Sequence, residues 1–249
     1  MNYENKLYKN KVTILYEDRR HRYVWEEEDR EVKSVTTALR IINKPALIPW
    51  AANAAVDSIV ELIKPGVSYD ELELAEVWDL GRKAHYKRKK DAGDLGTLLH
   101  KWIEQYIKGE DPGTPVNKRL QKSVGRFLKW KEDHKVKFLL SEQVVFSKTY
   151  EYCGTLDFIC EVDGKMYIGD LKTSTGIYSE MLVQTAAYRF AREEEYPDEV
   201  YAGMLILRIG SDGTFETAII RGKKIGDTIT LKILRKGQEK SVLVTLGKM

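Results

Sequence analysis

Asp157, Asp170 and Lys172 are the residues of this chain whose types and spacing best suit catalysis. Carboxylate oxygens are preferred ligands of Mg²⁺ and Mn²⁺, and both ions often complete their coordination with water and phosphate oxygens. A lysine beside such an ion could orient or help deprotonate a bound water, or stabilise charge that develops on a phosphate. An ordinary surface cluster of ion pairs is the alternative explanation for Asp-x-Lys taken alone.

A predicted β-hairpin brings the two carboxylates together. Asp163-Gly164 lies between two stretches of apolar and β-branched residues, and Asp-Gly is the strongest short hairpin signal. A two-residue loop at this point places Val162 opposite Lys165, and the same register places Asp157 opposite Asp170.

Alternation along the two strands gives one face to Asp157, Asp170 and Lys172. Opposed Cβ atoms in a sheet lie about 5 Å apart, so two facing carboxylates destabilise the hairpin unless their charge is compensated. A divalent cation is the natural compensation. The other face carries apolar residues and is predicted to face the core, namely Leu156, Phe158 and Leu171.

Four side chains outside the hairpin are further candidates. His100 falls at the edge of the apolar stripe of a predicted helix over 93–107. It is either a hydrogen-bonded core histidine or a metal ligand. Glu142, in a predicted strand over 136–147, either adds an acid to the site or ends a row of the sheet. Gln184 and Tyr188 share a face of a predicted helix over 178–195. They either form a hydrogen bond in helix packing or contact nucleic acid.

Basic residues are concentrated in two predicted helices, although the net charge of the chain is only +3. The first run includes Arg82 and Arg88, and the second covers 117–134. A solvated helix face is the default explanation of such runs. The sharper hypothesis is contact with phosphates, for which Arg82 and Arg88 are the candidates.

The order of predicted elements indicates a mixed α/β fold. Strands over 12–16 and 21–25 form an N-terminal hairpin, and Ser34 can cap a short helix. The segment 50–62 predicts a helix packed in the core, and 68–71 begins the next helix. Strands over 200–209 and 214–221 form a hairpin around 211–213. We expect an N-terminal hairpin and helical region over 1–90, a core over 91–221 and a C-terminal hairpin over 222–249 that turns near 236–237.

Composition narrows the class of protein. The chain has 249 residues, of which 43% are hydrophobic, enough for a packed core. No apolar run approaches a membrane span and the first residues are charged, so we expect a cytoplasmic protein with no membrane partner. Cys153 and Cys160, on opposite faces of one strand, can neither pair nor hold a four-cysteine iron–sulfur cluster. No phosphate-binding loop motif occurs, so no bound nucleotide is expected.

Four motifs in sequence order resemble those of the PD-(D/E)XK nuclease superfamily, most closely its RecB-like branch of phage and repair exonucleases. The motifs are Gly96-x-x-x-His100, Gly154-x-x-Asp157, Asp170-Leu171-Lys172 and Gln184-x-x-x-Tyr188. The resemblance covers about 90–195, and the segments 34–36 and 43–45 are similar to the lead-in of phage members. No proline precedes Asp157, and Asp170 stands where many relatives have Glu.

This resemblance implies a restriction-endonuclease-like core, with a mixed central sheet flanked by helices. It implies a Mg²⁺ or Mn²⁺ ion bound by His100, Asp157, Asp170 and the backbone carbonyl of Leu171. Lys172 would be the catalytic lysine, and Gln184 with Tyr188 would form the motif on the DNA side.

The implied function is metal-dependent hydrolysis of phosphodiester bonds by a DNA exonuclease used in phage or repair recombination, in the host cytoplasm if a phage encodes it. Linear duplex or single-stranded DNA would be the substrate, and a separate helicase or single-strand-annealing protein a partner. Two alternatives stay open: a structure- or sequence-specific endonuclease of the same fold, and an inactive protein that binds nucleic acid or peptide. The segment 226–249 resembles the closing hairpin of a bacterial PDZ domain but is too short for a whole one.

Overall fold

A computed structural model describes residues 2–42, 44–210 and 212–220, together with the backbone of 228–235 and 238–245. The chain divides into two units. One comprises Met1–Ile41 with Leu98–Met249, and the other comprises Ile42–Thr97. Positions 43 and 211 and the predicted turn at 236–237 lie outside the described residues. Of the segment 226–249, which resembles a PDZ hairpin, only the backbone of 228–235 and 238–245 is described.

The first unit is built on a large sheet. Its strands are β1 (Asn2–Leu7), β2 (Val12–Glu17), β3 (Arg22–Trp25), β4 (Arg30–Ser34), β5 (Lys137–Ser147), β6 (Tyr152–Val162), β7 (Lys165–Lys172), β8 (Tyr201–Ile209), β9 (Phe215–Ile220), β10 (Thr228–Arg235) and β11 (Gln238–Thr245). The helices of the chain are α1 (Val35–Ala38), α2 (Leu47–Leu62), α3 (Glu71–Ile107), α4 (Lys118–Asp133) and α5 (Ser179–Glu195).

The sheet is mixed. Its order is β1-β2-β3-β4-β6-β7-β8-β9-β10-β11, and β5 also pairs with β6. The pairs β4–β6 and β7–β8 are parallel, whereas the other pairs are antiparallel. Parallel neighbours need a crossover connection, and α5 supplies it between β7 and β8. The predicted mixed α/β class is therefore confirmed.

The hairpin of β6 and β7 has the predicted register. Val162 pairs with Lys165, and the ladder continues to Phe158 opposite Gly169. The turn residues have φ of 51° at position 163 and 72° at position 164, which suits the two-residue turns that favour Asp-Gly. Asp157 and Asp170 occupy the next position, one step beyond the last recorded pair.

Helices cover both faces of the central strands. On one face, Tyr188 and Ala191 of α5 belong to a buried cluster with Ile159 and Ile168. On the other, Phe127 of α4 lies 5.5 Å from Phe138, and Phe138 lies 5.4 Å from Phe158, between ring centroids. Burial on both faces explains the near-continuous apolar sequence of these strands. The residues predicted to face the core are all buried, namely Leu156, Phe158 and Leu171. Their predicted common face is wrong, however, because Leu156 packs with Ile159 in the cluster on the α5 side, whereas Phe158 contacts Phe138 on the α4 side.

The helix ends agree with the capping signals in the sequence, whereas the packing of one helix differs from the prediction. Ser34 accepts a hydrogen bond from the backbone N–H of Thr37 and caps α1, as predicted. Asp70 and Glu73 exchange backbone-to-side-chain hydrogen bonds at the start of α3. The expectation that 50–62 packs in the core is wrong, because Val60 of α2 is 68% exposed.

The structure differs from the prediction in two further features, an additional first strand and a longer helix α3. β1 was not predicted, since its residues are mostly polar and it forms only by pairing with β2. α3 runs without a break from Glu71 to Ile107, so the predicted boundary at position 90 falls inside this helix. β10 and β11 pair antiparallel, as the terminal alternation predicts. Among the described residues, no helix combines the length and apolarity needed to cross a membrane.

Candidate metal centre

The carboxylates of Asp157 and Asp170 lie at the point where the pairing of β6 and β7 ends. The backbone N–H of Leu171 donates a 2.6 Å hydrogen bond to Oδ2 of Asp157, which turns this carboxylate towards the end of β7. Nζ of Lys172 lies 2.5 Å from Oδ2 of Asp170. Three groups with the predicted chemistry therefore share one small region.

Asp170 is fully buried and only partly satisfied. Its Oδ1 accepts a 3.2 Å hydrogen bond from Nε2 of Gln184, but its Oδ2 is buried and accepts no hydrogen bond. The ammonium of Lys172, 2.5 Å from Oδ2, supplies the counter-charge of this oxygen. Burial raises the pKa of Asp170, the Lys172 charge opposes this rise, and the Asp157 charge adds to it.

His100 of α3 and Glu142 of β5 approach Asp157 from two other elements. One ligand atom from each of these three residues lies within 4.8 Å of the others. Nδ1 of His100 is 3.7 Å from Oδ2 of Asp157. The sequence left the roles of His100 and Glu142 open, and the structure brings both side chains to the carboxylate of Asp157.

An irregularity in β5 accompanies the approach of Glu142. The register of β5 against β6 shifts between Phe138 and Leu140, and Glu142 itself has φ of 51°. A positive φ is uncommon for a residue with a side chain, and such strain concentrates at functional sites. Neither feature is readable from alternation, so the sequence could not settle the direction of this side chain.

Burial and neighbouring charges shift the pKa values of the site residues. Burial raises the pKa of Glu142 to about 8, with contributions from the carboxylates of Asp157 and Glu104. Burial also raises the pKa of Asp157, although the Lys172 charge opposes the rise. The pKa of His100 is lowered by burial and by Lys172, whereas Asp170 and the backbone of Leu171 act in the other direction. A site with these shifts gains from a cation that keeps the acids ionised.

Gln184 and Tyr188 support the site from α5. Nε2 of Gln184 lies 2.9 Å from the hydroxyl of Tyr188 as well as reaching Asp170. Tyr188 is 2% exposed, and a Cβ at Gly154 would lie 2.3 Å from its ring. The ring of Tyr188 is therefore buried, and the contact of Gln184 and Tyr188 with DNA stays a prediction.

Arg82 and Arg88 belong to the other unit, over Ile42–Thr97. Arg82 pairs with Asp79 at 2.8 Å, and Arg88 pairs with Asp57 at 3.0 Å. Their contact with DNA stays a prediction.

Sequence reasoning missed two charged residues near the site. Glu104 lies one helical turn after His100 and forms an ion pair with Lys108, and the four-residue spacing from His100 was the available signal. Arg208 is buried beside Lys172 in the β7–β8 pairing, where it donates to the backbone carbonyl of Ser174 at 2.9 Å. No local pattern distinguishes Arg208 from other strand residues.

The donor set is suited to a hard divalent cation. It combines carboxylate oxygens of Glu142 and Asp157 with the imidazole of His100, and carboxylates suit Mg²⁺ and Mn²⁺. Asp170, which is paired with Lys172, does not belong to this group of three. The cysteines do not contribute, since Cys153 and Cys160 are free and buried in the sheet. Fold and site thus define a mixed α/β protein with a carboxylate-rich candidate cation site. No protein-family model matches the chain, and no curated protein matches it at a significant level.

Proposed function

We propose that this chain is a Mg²⁺- or Mn²⁺-dependent deoxyribonuclease with a restriction-endonuclease-like core, and that it acts as an exonuclease. The observation that carries the proposal is the convergence of one ligand atom each from His100, Glu142 and Asp157 within 4.8 Å of one another, together with the buried ion pair of Asp170 and Lys172. Burial raises the pKa values of Glu142 and Asp157, and a hard divalent cation would offset the cost of ionising them.

The chain's own groups would divide the work of holding the ion. Asp157, Asp170, His100 and the backbone carbonyl of Leu171 would be ligands, and Glu142 would add a further carboxylate. When bound, a divalent cation supplies Lewis acidity and lowers the pKa of a coordinated water. Burial raises the pKa values of Glu142 and Asp170, with neighbouring carboxylates adding to the rise, and a bound cation would favour the ionised form of both groups.

Lys172 would act on the phosphate. Its side chain is one-fifth exposed, and its ammonium is held by Asp170. A fixed positive charge in a partly desolvated position stabilises negative charge that builds up on a phosphate oxygen more strongly than the same charge in water. The Lys172 ammonium would also donate a hydrogen bond that orients the attacking water.

Gln184 would fix the position of Asp170. Its amide bridges Oδ1 of Asp170 and the hydroxyl of Tyr188, and the Tyr188 ring is held against Gly154. Partners behind a ligand set its orientation and tune metal affinity. In this proposal Tyr188 is a positioning residue, and Gln184 is the member of the pair that could also meet DNA.

The exonuclease proposal and its biological setting rest on the sequence resemblance. Linear DNA, duplex or single-stranded, is the proposed substrate, in phage or repair recombination in the cytoplasm. Any helicase or single-strand-annealing protein in that process would be a separate chain.

The test uses end-labelled linear DNA and covalently closed circular DNA, each incubated with Mn²⁺, with Mg²⁺ or with EDTA. Exonuclease action predicts that only linear DNA is lost, only with metal, and not by Asp170→Ala. Glu28→Gln, an exposed carboxyl in the same unit, is the matched control and should cleave normally. Cutting of closed circles would instead support an endonuclease, and binding without metal-dependent cleavage would contradict the proposed activity.

A further inference from the structure

The first half of α3 carries exposed aromatic and basic side chains at four-residue spacing. Trp78 is 72% exposed and Tyr86 is 68% exposed, with exposed Arg82 between them. Residues four apart lie on the same side of a helix, and a rise of 1.5 Å per residue places the two aromatic positions about 12 Å apart. We call these three residues the Trp78–Tyr86 face.

This face is distinct from the side by which α3 packs. Val77 and Ala84 are buried, and they lie on a different side of the helix from Trp78 and Tyr86. The ring of His85 lies 4.0 Å from that of Tyr86, between centroids, so one aromatic of the face has a neighbouring ring beside it. The side chains of Trp78 and Tyr86 are thus exposed and lie away from the buried side of α3.

The helix is positively charged from Arg82 to Lys90, on the Tyr86 side of the face. This stretch contains six basic residues and no acidic residue, whereas acidic residues flank Trp78; the basic ones are Arg82, Lys83, Lys87, Arg88, Lys89 and Lys90. Asp79 pairs with Arg82 at 2.8 Å and with Lys83 at 2.5 Å, Asp57 pairs with Arg88, and Asp94 pairs with Lys90. A cationic surface of this kind attracts a phosphate backbone and does not suit a purely apolar partner.

A groove of about 420 Å³ runs beside the same residues. Its lining includes Leu74, Trp78 and Arg82, together with Glu71, Ala75 and Asp79. The indole of Trp78 gives this groove a flat apolar wall, and Arg82, which is paired with Asp79, lies beside it.

We propose that the Trp78–Tyr86 face binds single-stranded DNA, with bases stacked on Trp78 and Tyr86 and phosphates contacted by Arg82 and the neighbouring lysines. Stacking on aromatic side chains within a basic surface is the general mode of sequence-independent single-strand binding, because every base has a π-face. The paired bases of a duplex are not available to such rings. The choice of DNA over another polyanion rests on the proposed nuclease function.

The test measures the affinity of the whole chain for fluorescein-labelled oligothymidine by anisotropy, in EDTA so that no cleavage occurs. Loss of one stacked base by Trp78→Ala or Tyr86→Ala should weaken binding about 5- to 150-fold. Trp78→Phe should keep most of the affinity, because it keeps a ring, whereas Trp78→Leu should lose it. Leu72→Ala, another exposed apolar residue of α3, is the control and should bind like the parent.

The result that would overturn the proposal is a parent chain that does not bind oligothymidine, or a Trp78→Leu chain that binds it as tightly as the parent. An equal loss of duplex affinity in Trp78→Ala would also overturn it, since stacking requires unpaired bases. The outcome is separable from nuclease activity. A parent that binds through this face but never cleaves with Mn²⁺ refutes only the nuclease, and one that cleaves while the aromatic variants bind normally refutes only the single-strand face.

Discussion

Glu142→Gln should remove part of the pH dependence of stability from the metal-free protein. Burial raises the pKa of Glu142 from 4.5 to about 8, reinforced by the carboxylates of Asp157 and Glu104 and opposed by Lys108. Between these two pH values the folded protein keeps a proton on Glu142 that the unfolded chain has released. Stability therefore falls as pH rises through this window.

The size of the effect follows from the width of the window. One group contributes at most about 1.4 kcal/mol per pH unit, and solvent reaches this half-buried carboxyl, so we expect about 1 to 3 kcal/mol in total. Asp157 and Asp170 shift in the same direction, so the variant should retain some pH dependence. Glutamine keeps the shape of the side chain without its charge.

Urea unfolding in EDTA at about pH 5 and about pH 8 measures this difference directly. The parent should lose more stability than Glu142→Gln over that interval, while Glu28→Gln should behave like the parent. If Glu142→Gln loses as much stability as the parent over this interval, folding does not raise the pKa of Glu142 and the electrostatic account of the site is wrong.

Three further predictions concern the surroundings of the site. Gly154→Ala should destabilise the fold by about 1 to 3 kcal/mol in urea unfolding, because its Cβ would lie 2.3 Å from the ring of Tyr188; no loss would show that the ring moves freely. Gln184→Ala should weaken Mn²⁺ binding about 10- to 100-fold in a titration, because Oδ1 of Asp170 loses the amide that donates to it, and unchanged affinity would argue against that support. Native Cys160 should react with a thiol reagent only after unfolding, since burial raises its pKa to about 12; rapid labelling of the folded chain would contradict this.

The hairpin could be predicted because its signals are local. Asp163-Gly164 specifies the turn, and the turn specifies the register as far as Phe158 opposite Gly169. Asp157 and Asp170 follow directly after this pair, and the backbone N–H of Leu171 donates to Asp157. Ser34 as a helix cap was readable for the same reason. The candidate site was thus partly visible in the sequence before any long-range contact was known.

The remaining features depend on contacts between distant parts of the chain. The direction of Glu142 follows from a register shift and a positive φ in β5, and the burial of Tyr188 follows from a glycine on another strand. The exposure of Val60 shows that an apolar helix pattern does not identify its partner. β1 was missed because its polar residues become a strand only through pairing.

Titration of the metal-free chain with Mn²⁺, followed by electron paramagnetic resonance of the free ion, tests the central claim most directly. We expect one tightly bound ion per chain, with binding weakened at least tenfold by Asp157→Asn and by Asp170→Asn but not by Glu28→Gln. Equal Mn²⁺ affinity in the parent and in both aspartate variants would contradict a shared cation between these carboxylates, and with it the proposed chemistry.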